Sequence, residues 1–139
     1  MAVTFQYRVP EYKLKDAGAL KKWIADTIKR EGFLLGDINY VFASDEEVLQ
    51  MNIQYLDHHT YTDIITFDSC EGDRLNGDII ISIDRVGENA FKFGTSFEKE
   101  LRRVIIHGVL HLCGYKDKSK KDSVMMRKKE DESLKYWRA

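Results

Sequence analysis

At 139 residues, 43 % hydrophobic and 32 % charged, the chain has the size and composition of one soluble domain that buries its own core. Its formal net charge of −1 removes bulk basicity as an argument for nucleic-acid binding, though charge can still be segregated onto one face. Two cysteines, Cys70 and Cys113, make no disulfide framework and read as free thiols of a cytoplasmic protein; the N-terminus does not look like a signal peptide, and no stretch reaches the roughly 20 apolar residues that span a bilayer.

Val3 to Tyr7 alternates β-branched or aromatic residues with polar ones and predicts a strand. Leu20, Trp23, Ile24, Thr27 and Ile28 fall on one helical face, and Gly32 stands just past it as a left-handed cap. Ile38 to Ala43 predicts a second strand. Ser44 and Glu47 have capping-box spacing, so a helix runs from about Asp45 to Tyr55. Asp63–Phe67 and Asp78–Ser82 read as neighbouring antiparallel strands, with turn chemistry over Cys70–Gly77 between them. A short helix follows from about Asp84 to Phe93 and ends at Gly94. Thr95 and Glu98 suggest another capping box, opening a helix that reaches about Cys113. A charged helix closes the chain from about Lys120 to Tyr136. The order βαβαββααα, without strict alternation, predicts a single α+β domain over residues 1–139: one small mixed sheet packed by about five helices.

The chemistry concentrates at the end of the central helix. His107 and His111 stand four apart, one turn along the same face, the spacing of helical zinc-binding pairs. Such a pair alone is a weak signal. Gly114 sharpens it, because glycine ends a helix in the left-handed region and lets the chain turn back with Asp117. The pattern H-x3-H-x5-D shares its spacing with the metzincin peptidases, which have His in third place. Three protein ligands and a water are the arrangement of a catalytic zinc, and zinc lowers the pKa of that water to about 7. The surrounding helix is apolar, and buried imidazoles need partners. One feature departs from the peptidases: their general-base glutamate follows the first histidine, where this chain has Gly108. A glycine inside a helix costs about 1 kcal/mol relative to alanine, which suggests a close approach at that position.

The segment His107-Gly108-Val109-Leu110-His111-Leu112-Cys113-Gly114-Tyr115 resembles the H-G-x-L-H-L-x-G-Y-D-H signature of the YbeY family. Met51–Tyr55, Thr62–Phe67 and Asn76–Ser82 are similar to that family's L-N-x-x-Y-R, T-D-V-L-S-F and L-G-D-I-x-I-S blocks, in the same order. The resemblance implies a metal-dependent endoribonuclease acting on single-stranded RNA. It further implies maturation of the 16S rRNA 3′ end and late ribosome quality control, with the ribosome as partner. Three positions depart from the pattern. Asp117 stands where the family's third ligand is usually His; its carboxylate is a harder donor than imidazole and shifts preference toward Mn or Mg. Leu56 replaces an arginine suited to binding phosphate. His59-Thr60-Tyr61 replaces Asp-x-Pro, and His58 or His59 then takes a polar task at the cleft, or both are solvated loop residues.

Lys116, Lys118, Lys120, Lys121, Arg127, Lys128 and Lys129 form either a solvated helix face or phosphate contacts beside the metal. Cys113 faces away from His111 and is not counted as a ligand. Met125 and Met126 are core residues or an apolar floor, and Trp23 and Trp137 are core or rim residues. The reading is therefore an endoribonuclease with one zinc per chain on His107, His111 and Asp117, metal-bound hydroxide as nucleophile, and no catalytic side chain assigned. Two alternatives are a metal-dependent peptidase or amide hydrolase, and a non-catalytic, metal-braced ribosome-associated protein.

Overall fold

The computed structural model describes residues 2–138; Met1 and Ala139, the ends of the expected domain, lie outside the described residues. The elements run β1 (Val3–Tyr7), α1 (Ala17–Arg30), β2 (Leu34–Ala43), α2 (Asp45–Leu56), β3 (Ile64–Asp68), β4 (Arg74–Ser82), α3 (Ile83–Phe93), α4 (Phe97–Leu112) and α5 (Lys120–Lys135). The strands form one mixed sheet in the order β1-β2-β4-β3. β1 and β4 flank β2 in parallel, and β3 pairs antiparallel with β4. This is the α+β architecture expected, with five helices.

Two strands are longer than their alternation suggests. Leu34 and Leu35 pair with Arg74 and Leu75, so β2 and β4 both begin upstream of their apolar runs. The segment read as a turn over Cys70–Gly77 therefore ends in strand. Pairing with a remote partner extends both, and local composition does not carry that information.

The sheet buries both faces. On one, Tyr40, Phe42, Leu75, Ile79 and Ile81 pack with Ile24 and Ile28 of α1 and Ile105, Val109 and Leu110 of α4. On the other, a smaller cluster of Ala43, Ile65 and Ile80 lies under Val48 of α2. The fully buried Tyr40 hydroxyl donates to the Ile105 carbonyl at 2.9 Å, which ties the middle of α4 to the sheet. Gly108 explains itself here. A Cβ at that position would stand 3.0 Å from Ile79 and 3.1 Å from Ile64, so the bare backbone lets α4 lie close on the sheet. Trp23 and Trp137 meet edge to face at 5.4 Å, and the Trp23 ring N–H donates to the Ser133 carbonyl, pinning the end of α5 to α1.

The caps follow the sequence in one case and shift in another. Ser44 and Glu47 form the expected capping box. At α4 the capping residue is Ser96, whose hydroxyl accepts from the Lys99 amide, so Thr95 and Glu98 are no box. Ser119 and Asp122 make an unanticipated box at the start of α5.

Candidate functional site

α4 ends in a Schellman turn. The Tyr115 amide donates to the Leu110 carbonyl and the Gly114 amide to the His111 carbonyl, with Gly114 at φ 103°. The reversed chain is then fastened to α1. The Tyr115 hydroxyl donates to Glu31 Oε1 at 2.7 Å, and Lys129 Nζ donates to Glu31 Oε2 at 3.3 Å. This returns Asp117 to the face of α4 it has just left. Asp117 Oδ2 lies 3.8 Å from His107 Nε2, and its Oδ1 accepts from the Ser123 hydroxyl at 3.1 Å.

The other side of His107 is held by α5. Its Nδ1 lies 2.8 Å from Glu130 Oε2. A carboxylate accepts only, so Nδ1 carries a proton, and whenever the ring is neutral the lone pair is on Nε2, the nitrogen that faces Asp117. Glu130 is 5 % exposed, and Arg103 donates to its other oxygen at 3.0 Å while pairing with Asp131 at 3.1 Å. Burial works against charge on His107. The Glu130, Asp117 and Asp63 carboxylates outweigh it and hold the pKa above the ordinary histidine value.

These groups line a cleft of about 810 Å³ between α4, α5 and the start of β3. His111 lines it too, and it is exposed. The structure thus joins His107 and Asp117 and leaves His111 in the same cleft one turn away. Among the described residues no group of three or more His, Cys, Asp or Glu side chains stands assembled as a metal cage. The expectation that both imidazoles are buried holds in part for His107 alone. A smaller pocket of about 120 Å³ beside Tyr12, Leu20 and Trp137 lies apart and contains no histidine.

Three residues that carry the site's electrostatics were not singled out by the sequence. Glu130 sits in a segment crowded with charges of both signs. Its signal is its register with Met126 and Ser133, which makes it an acid on the buried face of α5. Asp63 and Glu100 also line the cleft. Burial raises the pKa of Asp63 against the pull of His107, with Glu130 and Asp117 adding to the rise. Burial likewise raises that of Glu100, opposed by Arg103. Asp63 is delivered by the loop after α2, which the buried Asn52 side chain holds by donating to the Thr60 carbonyl at 2.9 Å.

The remaining candidates divide. His58 and Leu56 line the cleft, whereas His59 points to Asp57 at 3.3 Å in solvent. Of the basic run, Lys118 and Arg127 reach the cleft. Arg127 is mostly exposed and only loosely paired, at 3.9 Å from Glu130. Met126 is a buried core residue that also lines the cleft, and Met125 is exposed. Burial pushes the Cys113 thiol up to about 12, with Glu31 adding to the shift, so it stays protonated at neutral pH.

The sequence profile described as Endoribonuclease YbeY matches residues 6–138. The chain belongs to the YbeY family. It is 49 % identical over 135 residues to Endoribonuclease YbeY of Flavobacterium psychrophilum, covering 97 % of this chain and 96 % of that protein. It is 57 % identical over 113 residues to the protein of the same name from Porphyromonas gingivalis, covering 81 % of this chain and 75 % of that one. A Thermotoga maritima protein solved in solution shares the fold with TM-score 0.65 and 30 % identity, covering 99 % of this chain and 91 % of that one. Family membership agrees with the resemblance seen in the His107–Tyr115 segment. Among the described residues no helix is long and apolar enough to cross a membrane.

Proposed function

We propose that this chain is an endoribonuclease that hydrolyses single-stranded RNA with one divalent cation, zinc by its donor set, held by His107, His111 and Asp117. We further propose, on family grounds, that it acts in the cytoplasm on the 3′ end of 16S rRNA and in ribosome quality control. The observation that carries the reading is the braced His107, whose Nδ1 is held by Glu130 and whose Nε2 faces Asp117. Bonds to zinc of about 2.0–2.2 Å let one ion touch two donors only when these stand closer than roughly 4.2 Å. The separation of 3.8 Å meets that limit. His111 is exposed in the same cleft and supplies the third donor.

Charge supports the same conclusion. The cleft is lined by four carboxylates against three permanent cations, which disfavours an anionic substrate until a divalent ion reverses the balance. When bound, such a cation supplies Lewis acidity toward water and phosphoryl oxygen. The chain's own part is positioning. Glu130 keeps the proton on His107 Nδ1, Ser123 orients Asp117, and Arg103 is committed to Glu130 and Asp131. Arg127 and Lys118 then offer phosphate contacts from the α5 side, the task that Leu56 does not perform.

A peptidase built on this spacing needs a glutamate at position 108, where this chain has glycine and where even a Cβ would crowd Ile79 and Ile64 at 3.0–3.1 Å. A structural metal is normally enclosed by four ligands, whereas His111 and Asp117 are exposed. The test takes one purified sample, measures its metal by elemental analysis, and follows cleavage of single-stranded RNA by wild type and His111→Ala in parallel. About one metal per chain with cutting lost in the variant is the expected result. Equal cutting by both proteins, or by neither, overturns the proposal.

A further inference from the structure

Resting on the RNA-hydrolase reading above, one buried group remains unused. Glu100 lies on α4 seven residues before His107, on the same face and about 10.5 Å along the axis. It is 6 % exposed, yet its carboxyl makes no hydrogen bond or ion pair with any described residue. No fully enclosed side-chain nitrogen or oxygen among the described residues lacks a partner, so the Glu100 oxygens must open into the cleft that Glu100 lines. Arg103, three residues further along the same helix, is turned to Glu130 and Asp131. Its oxygens find no donor within the described protein and meet only the open space of the cleft, where substrate would lie.

The chemistry of its partner follows from charge. A phosphate oxygen repels a carboxylate. A neutral donor, a hydroxyl or an amine, satisfies it. Two turns of helix separate Glu100 from the metal-facing histidine, which puts it beside a nucleotide next to the one being cut. We infer that Glu100 is a specificity residue that accepts a hydrogen bond from a donor group of that neighbouring nucleotide, the ribose 2′-hydroxyl, and so selects RNA over DNA. A base amine offers the same donor chemistry, and the test separates the two sources.

The experiment uses the metal-loaded full chain and a single-stranded oligoribonucleotide with a defined cut. One series carries a single 2′-deoxy substitution at each position in turn. A second series removes one exocyclic amine at a time, with inosine for guanosine or purine riboside for adenosine. Cleavage rate and binding by fluorescence anisotropy are read for wild type, Glu100→Ala and Glu100→Met. The methionine variant fills the space without an acceptor, and thermal melting and metal titration check both variants. For wild type we expect one 2′-deoxy position to weaken binding or slow cleavage about tenfold or more, as for a hydrogen bond to a charged group. In either folded variant that sensitivity should fall below about twofold, with metal affinity unchanged. Sensitivity that follows an amine instead keeps Glu100 as the acceptor and assigns the donor to the base, overturning the 2′-hydroxyl assignment. Sensitivity retained in full by both variants, or a wild type indifferent to every substitution, overturns the inference. A wild type that binds RNA with the positional loss but does not cut it removes the hydrolase reading and leaves the subsite. One that neither binds nor cuts removes both.

Discussion

Along α4, the face turned to the sheet and the face turned to the cleft are organised by different rules. On the sheet side Ile105, Gly108 and Leu112 meet Tyr40, Ile79 and Gly77 by shape, and the Tyr40 hydroxyl has its carbonyl. On the cleft side Glu100, Arg103, His107 and His111 follow one another at helical spacing, and their surroundings are polar, charged and partly open. Two carboxyls there, Asp63 and Glu100, are held in a more protonated state than carboxyls in water. One helix thus anchors the fold with one face and gives up some stability on the other, the usual cost of a reactive site.

Substitutions on the two faces should therefore fail differently. Gly108→Glu brings the largest loss of stability. It forces a charged side chain against Ile79 and Ile64, and denaturant unfolding should register about 3 kcal/mol or more. No peptidase activity should appear in it. Leu110→Ala, at a fully buried position, should cost about 2–5 kcal/mol, while whatever protein remains folded binds metal as wild type does. On the cleft side the order of effects reverses. Asp117→Ala should leave the metal-free melting transition within about 0.5 kcal/mol, because the residue is exposed, yet weaken metal binding in calorimetry. Full metal retention in that variant removes Asp117 from the ligand set. Glu130→Gln should lower metal affinity by about 10–100-fold without touching the ion, since the histidine it orients loses its carboxylate.

The smallest effect tests the cost of the cleft face. Glu100→Gln should stabilise the metal-free protein at neutral pH by about 0.5–1 kcal/mol. The sign follows from the raised pKa of Glu100 in the folded chain. Below the unfolded value, about 4.3, the glutamate is protonated in both states and the variant gains nothing. Above it, folding must hold off ionisation or bury a charge, so the variant's advantage grows until pH passes the raised folded value. Melting curves at pH 4 and pH 8 decide this, and an equal difference at both contradicts it.

Much of the fold was legible because it is written locally. The spacing from Leu20 to Ile28, the Ser44–Glu47 box and the Gly114 turn each depend on residues within one or two turns of one another. Where two local solutions compete, as Thr95 and Ser96 do for the start of α4, the sequence offers both and packing selects one. The strand starts at Leu34 and Arg74 were hidden because each exists only through the other.

The sequence by itself determined the helical histidine pair, the glycine that ends its helix and the acid that follows, since backbone geometry brings residues four to ten apart together without help from the rest of the chain. Only the tertiary structure decided that β4 lies between β2 and β3, that Gly108 serves the sheet, and that Glu130 reaches His107 across twenty-three residues. Those relations are fixed by which surfaces exclude water together, and that is a property of the assembled core that no short stretch of sequence contains.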